Sequence, residues 1–341
     1  MHQNSSVMKT SAKIVVSISL LLFLSLPFPA FSARPKCNSQ DKKVLLQIKA
    51  ALNNPYHLAS WNPEEDCCTW YAMECDRNNG RVKALTIFSG NISGQIPPAV
   101  GDLPYLETLV FRKLTNLHGQ IPSAITKLTR LRDLTLSWTN LSGPVPSFLS
   151  QLKSLTYLDL SFNDLTGSIP PSLSQLPNLE EIHLDRNKLT GSIPESFGHW
   201  AGKTPNIFLS HNQLTGPVPA SLGSLNFPST IDLSRNKLVG DVSFLFGRSK
   251  TVLFIDLSRN LFEFDLSKVQ FPVNLTNLDL NHNRIFGSLP QGLTRLNLQF
   301  LNVSYNRLCG KIPRGGDLQR FDQYSYFHNR CLCGAPLSPC K

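Results

Sequence analysis

YLDLSFNDLTGSIP, residues 157–170, is the stretch that decides how this chain folds. Near-copies return as EIHLDRNKLTGSIP at 181–194, NIFLSHNQLTGPVP at 206–219 and NLDLNHNRIFGSLP at 277–290. The glycine before x-Ile-Pro serves as a marker at Gly94, Gly119, Gly143, Gly167, Gly191, Gly216, Gly240, Gly287 and Gly310, with Phe264 in one degenerate copy. These markers stand 23 to 25 residues apart. A fixed period of this length means stacked units, each one strand and one return. In the pattern L-x-x-L-x-L-x-x-N the aliphatics at alternate strand positions, such as Leu158 and Leu160, point inward. One unit cannot bury its own apolar edge, but stacked neighbours form one continuous core. The expected fold is an α/β solenoid: a right-handed leucine-rich-repeat superhelix of ten repeats of about 24 residues with a concave parallel β-sheet.

The Asn of each unit falls at Asn163, Asn187, Asn212, Asn236, Asn260, Asn283 and Asn306, where the chain leaves the strand. A buried amide there satisfies backbone groups that have lost their ladder partners. Gly90, Thr115 and Thr139 hold that place in the first units, which predicts looser turns. Each G-x-I-P then bends the chain and fixes φ at the proline, starting the convex return.

All eight cysteines stand outside the repeats: Cys37, Cys67, Cys68 and Cys75 before them, Cys309, Cys331, Cys333 and Cys340 after. Two groups of four leave three pairings each. Adjacent Cys67 and Cys68 hardly bridge each other, so the expected pattern is sequential: Cys37 with Cys67, Cys68 with Cys75, Cys309 with Cys331, Cys333 with Cys340. Zinc ligation is the rival, disfavoured because Cys-x2-Cys spacings are missing. DKKVLLQIKAAL, residues 41–52, spaces Val44, Leu45, Ile48 and Leu52 as an amphipathic helix that should cover the first repeat. Lys9 and Lys13, an apolar run over 14–26 and small residues near Ala30 have the layout of a secretory signal peptide, with cleavage expected after Ser32. The organisation is thus a signal peptide at 1–32, a cysteine-rich cap with the helix at 33–81, repeats at 82–308, and the end of the last repeat with a second cap at 309–341. Losing Lys9 and Lys13 lowers the net charge from +10 to +8. That balance favours an acidic or polyanionic partner. With the oxidising compartment that disulfides imply, it points away from nucleic acid, and no later apolar run is long enough for a membrane anchor.

On each strand the residue between the inward aliphatics should face out, giving a central row of Thr86, Val110, Thr135, Asp159, His183, Phe208, Asp232, Asp256, Asp279 and Asn302. A second row, just before the Asn, holds Ser89, Lys113, Trp138, Phe162, Arg186, His211, Arg235, Arg259, His282 and Tyr305. Ten strands about 4.8 Å apart make a face roughly 45 Å long, which suits a macromolecule. Exposed aromatics with arginines are the residues that most often dominate an interface. His183, His211 and His282 lie on different strands without metal-ligand partners, so no metal or other cofactor is expected. Ser210 beside His211 repeats a common serine filler and is not read as a nucleophile. Asp232 and Asp256 on adjacent strands have the separation of a glycosidase pair, but an open, wet face should leave their pKa values unraised, so no enzyme is expected. Sequons stand at Asn91, Asn140, Asn274 and Asn302, the last expected to point outward from the final strand.

Three stretches carry a family likeness: CNSQDKKVLLQIKAALNNP at 37–55, DCC at 66–68, and LCGKIPRGGDLQRFDQYSYFHNRCLCGAPLSPC at 308–340. Together with the G-x-I-P repeats they resemble the plant polygalacturonase-inhibiting proteins over nearly the whole mature chain. The resemblance implies a monomeric, secreted cell-wall defence glycoprotein that binds microbial, chiefly fungal, endopolygalacturonases through its concave face, with pectin as a second ligand. The residues assigned to the partner are Asp159, Phe162, Glu180, His183, Asp185, Arg186, Phe208, His211, Asp232, Arg235, Asp256 and Arg259. Pectin is assigned to Arg186, Arg235 and Arg259, whose guanidinium groups match a row of carboxylates. Glu180 and Glu181 depart from the family, putting acid at a place often apolar. The alternatives are an ice-binding antifreeze protein of the same fold and a soluble binding module for a receptor or peptide.

Overall fold

A computed structural model describes residues 36–341. The expected signal peptide and its cleavage after Ser32 lie outside these residues. Ten parallel strands form the main sheet, running in chain order from Val82–Phe88 through Tyr157–Asp159 and Thr230–Asp232 to Phe300–Asn302. A short strand, Met73–Cys75, adds antiparallel to the first of them. Leu158, Leu160 and their counterparts are fully buried and join one continuous apolar core. From nine of the ten units the chain leaves through a marker glycine with φ between +75° and +117°, Phe264 standing in the other. In most units it then enters a 3-10 turn preceded by proline, as at Ser147–Gln151 after Pro146, whereas Val242 and Asp265 take the proline's place in the seventh and eighth. Short parallel sheets on the return, for example Thr215–Pro217 with Lys237–Gly240 and Leu261–Phe262, form a second strand layer that the repeat pattern did not announce.

The Asn ladder works through both ends of each amide. Asn187 Nδ2 donates to the carbonyl oxygens of Leu160 (2.9 Å), Leu184 (3.1 Å) and Asp185 (3.2 Å), while its Oδ1 accepts from Leu165 N (3.0 Å). Each unit is thereby tied to the one before it. The ladder continues past the tenth unit: Asn329 Nδ2 donates to Tyr326 O and Val303 O, and its Oδ1 accepts from Leu308 N. A further turn therefore lies inside the segment read as the C-terminal cap, with the fully buried Tyr326 where an aliphatic was expected.

The second and third units are not looser. Where Thr115 and Thr139 replace Asn, the strands run through the turn and lengthen to 12 residues, Thr108–Gly119 and Asp133–Pro144. Thr139 Oγ1 also bonds the Oδ1 of Asn163. Ladder hydrogen bonds between the longer strands take over what the amide does elsewhere.

Helix α1, Ser39–Ala51, is capped by Asn38, whose side chain accepts from Gln40 N and Asp41 N. It buries Val44, Leu45 and Ile48 and packs on the 3-10 turn Pro98–Asp102 of the first unit. Buried Asp41 takes two bonds from Arg81, at 2.7 and 2.9 Å, and one from Val82 N, locking the helix to the first strand. Disulfides join Cys37–Cys67, Cys68–Cys75, Cys309–Cys331 and Cys333–Cys340.

Candidate interaction face

The second row is the more distinctive. Every residue in it, from Ser89 to Tyr305, has φ between +52° and +57°, and His328 extends it into the eleventh turn. The left-handed conformation costs a non-glycine residue about 1–2 kcal/mol. Nothing in the composition of this row, which lacks both glycine and asparagine, announces that backbone. The turn places these side chains along one edge of the sheet, where they stack on one another. Trp138 lies on Phe162 with ring centroids 3.7 Å apart, and the Arg186 guanidinium covers Phe162 at 4.8 Å. Further on, Tyr305 lies between His282 (4.0 Å) and His328 (4.3 Å). Trp138 and Tyr305 keep 40% and 45% of their surface exposed, and Arg186, Arg235 and Arg259 are exposed beside them.

The central row corrects the sequence reading. Its acids do not stand free: Asp159 is 7% exposed and Asp232, Asp256 and Asp279 are half-buried. Each Oδ1 accepts the backbone N–H two residues on, from Ser161 (2.9 Å), Ser234 (3.0 Å), Ser258 (2.9 Å) and Asn281 (3.0 Å). The carboxylates hold the turn that leads into the edge row. Asp232, Asp256 and Asp279 also oppose one another in register on neighbouring strands. Burial, then the charge of Asp232, raises the pKa of Asp256. Burial, then the charge of Asp256, lifts Asp279 to about 6. For Asp256 the expectation that an open face leaves the pKa unraised therefore fails, because its carboxyl is half-buried beside the charge of Asp232. What counts against paired-acid chemistry is their shared turn role, which Asn302, with no charge, fills equally by accepting from Ser304 N at 3.1 Å.

Phe162 and Phe208 are also less exposed than expected, because neighbours cover their ring faces. His183 lies flat on Phe208, 4.1 Å away at 7°. Its Nε2 is 3.0 Å from Glu181 Oε2 and its Nδ1 3.8 Å from Asp185 Oδ1. Burial alone lowers the pKa of His183, but the bonds with Asp185 and Glu181 prevail and raise it. Burial, then Arg186 and Arg235, lowers that of His211.

A third outward row, two residues before the central one, was missed: it includes Asp133, Tyr157, Glu181, Asn206 and Phe254, paired in register. The strict alternation of a strand was the signal that would have found it. Burial, with Asp159 and Glu181 adding to it, pushes the Tyr157 phenol up to about 12. Asp159, Phe162, His183, Asp185, Arg186, Phe208, His211, Asp232 and Arg235 thus occupy the strands and following turns of neighbouring units, continued by Asp256 and Arg259. Glu180 stands apart, at the edge where the strands begin.

Cys37, Asp66, Cys67 and Cys68 bring potential metal-binding atoms within 4.8 Å of one another. They do not suit a metal, since both disulfides of the first cap consume the sulfurs and Asp66 Oδ1 accepts from Cys37 N and Cys68 N. Asn91, Asn140 and Asn274 are exposed. Asn302 does not point freely outward: it is half-buried, with Oδ1 held by the N–H and hydroxyl of Ser304.

Family models described as leucine rich repeat N-terminal domain and leucine rich repeat match residues 38–76 and 129–189, with further repeats at 274–296 and 297–316. A polygalacturonase inhibitor of Vitis vinifera is 65% identical over 334 residues, covering 98% of this chain and all of the relative. One of Pyrus communis is 65% identical, covering 94% of this chain and 96% of the relative. Among solved structures, a plant ice-binding protein is 56% identical with a TM-score of 0.88, over 90% of this chain and 99% of that one.

Proposed function

We propose, from the premise that the chain belongs to the polygalacturonase-inhibitor family of leucine-rich-repeat proteins, that it is a secreted cell-wall protein that blocks microbial endopolygalacturonases by covering their substrate cleft. The observation that carries the contact surface is the edge row: strained backbone turns hold Trp138, Phe162, Arg186, Arg235 and Arg259 outward along one continuous line. Aromatic and arginine anchors of this kind dominate protein interfaces. His183, Asp185, Phe208, His211, Asp159, Asp232 and Asp256 form the floor beside it, and Glu180 its flank. Inhibition needs only this contact, without cofactor or catalysis. Arg186, Arg235 and Arg259 also suit a polyuronate, so pectin binding should be salt-sensitive. Among the described residues no helix is long and apolar enough to cross a membrane.

The test is titration of the purified protein against a panel of endopolygalacturonases, in which at least one enzyme should be inhibited at an equimolar ratio. Ice adsorption is the second reading, favoured by the likeness to the plant ice-binding protein. Thermal hysteresis without inhibition of any enzyme in the panel would replace the first reading with the second.

A further inference from the structure

Three residues before the inward strand residue, most units place an aliphatic: Leu155, Leu179 and Val252 precede Leu158, Ile182 and Ile255, and all are buried. In the sixth and seventh units that place goes to Thr204 and Pro228. Without the aliphatic fillers a cavity of about 670 Å³ opens at the edge where the strands begin, lined in part by Glu180, Glu181, Lys203, Thr204, Asn226 and Pro228. Its size is that of a ligand site. A smaller hollow of about 320 Å³ adjoins it, sharing Glu180 and Lys203.

The polar groups of the larger cavity are not symmetrical in charge. Glu181 is held in place, with Oε2 against His183 Nε2 at 3.0 Å and Oε1 accepting from Asn206 Nδ2 at 3.3 Å. Glu180 is exposed, and neither it nor Lys203 makes a side-chain hydrogen bond or ion pair among the described residues. Two carboxylates therefore face the cavity against one cation, Lys203. The Pro228 ring adds an apolar surface. A side chain with a long alkyl stem and a cationic head matches both features, the stem on the proline and the head on the carboxylates.

We propose that this cavity binds a basic side chain, arginine or lysine, presented by a protein partner, with Glu180 and Glu181 as its counter-charges. It stands on the opposite edge of the strands from the aromatic row, and its test does not involve inhibition. Lys203 is the chain's own cation there and competes with the incoming one. Removing it should tighten binding, whereas an anion site would weaken.

The experiment is a nuclear magnetic resonance titration of the whole protein with the peptide Ac-Gly-Arg-Gly-amide, alongside versions carrying citrulline or glutamate in place of arginine. The arginine peptide should give saturable shifts at the amides of Thr204, Asn206 and Asn226. Glu180→Gln should weaken it by roughly tenfold, the worth of one charge-assisted bond, and the uncharged citrulline peptide should be weaker by a similar factor. Lys203→Met should tighten it several-fold. Unchanged spectra elsewhere show that each variant is folded. Preference for the glutamate peptide, weaker arginine binding in Lys203→Met, or no saturable shift with arginine would each overturn the proposal.

Discussion

The central and edge rows run along the same sheet, yet the chain treats them oppositely. In the central row the backbone takes the side chains for its own use: Asp159, Asp232, Asp256 and Asp279 bond the next turn and lose solvent. In the edge row the backbone accepts a strained conformation, and side chains from Lys113 to Tyr305 are pushed out for others to use. The repeat therefore uses the carboxylates of the central row to hold the turn and displays other side chains one step later. A residue that faces outward by strand alternation is not thereby available to a partner.

The largest effect should come from the ladder beneath both rows. Asn187→Ala removes four hydrogen bonds and leaves the buried Leu165 N–H without its partner, while the Leu160 carbonyl keeps the bond from Asn163 Nδ2. At 1–3 kcal/mol for the unsatisfied N–H and about 0.5–1 kcal/mol for each of the other bonds, denaturant unfolding should show a loss of about 4 kcal/mol. Thr139, whose role the longer strands share, should lose less than half of that on replacement by Val.

Asp279→Asn sharpens the claim that central-row carboxylates serve the turn and not charge. The folded Asp279 has a pKa of about 6, above the ~3.9 of an unfolded aspartate. Stability contributed by its protonated form is present at low pH and lost as pH rises from about 4 through 6. The amide variant should keep the turn, as Asn302 does, and remove that loss. Thermal or denaturant unfolding should then find it more stable than the wild type by up to about 3 kcal/mol at pH 7 and equal at pH 4. Equal stability at both values would place the charge in solvent.

Arg259→Gly breaks the comparison from the other side. Glycine relieves a φ of +54° but gains freedom in the unfolded chain. The net change in unfolding free energy should lie between zero and about +1 kcal/mol, while binding to the partner falls. A loss of stability would mean the edge row is structural after all. The smallest effect belongs to the convex side, where Lys153→Ala and Glu195→Ala should shift an inhibition constant less than about twofold, within the ±0.5 kcal/mol of an ordinary surface change.

Much of the fold was legible because the pattern repeats. Leu158, Leu160 and Asn163 recur at fixed offsets, and each recurrence constrains the others. The eleventh turn was not, since Tyr324 and Tyr326 stand where Leu158 and Leu160 stand in the fourth unit, while Asn329 keeps its geometry. The long early strands escaped notice for a related reason: losing an Asn does not say what replaces it. At the candidate face, the repeat pattern put Phe162, Arg186 and Arg235 in one row, as the structure does. It could not show that a left-handed turn displays them, or that Asp159 is claimed by Ser161 two residues later. Those outcomes depend on contacts between neighbouring units, which a linear pattern does not contain.

The most direct measurement is the inhibition constant of one sensitive endopolygalacturonase against wild type, Phe162→Ala, Arg235→Ala and the two convex variants, each confirmed as folded by circular dichroism. Loss of an interface anchor costs about 2 kcal/mol, so Phe162→Ala and Arg235→Ala should each inhibit roughly thirtyfold less well, with the convex pair unchanged. Wild-type inhibition by both edge-row variants together with a large loss in Lys153→Ala or Glu195→Ala would contradict the assignment of the strand face as the site of contact.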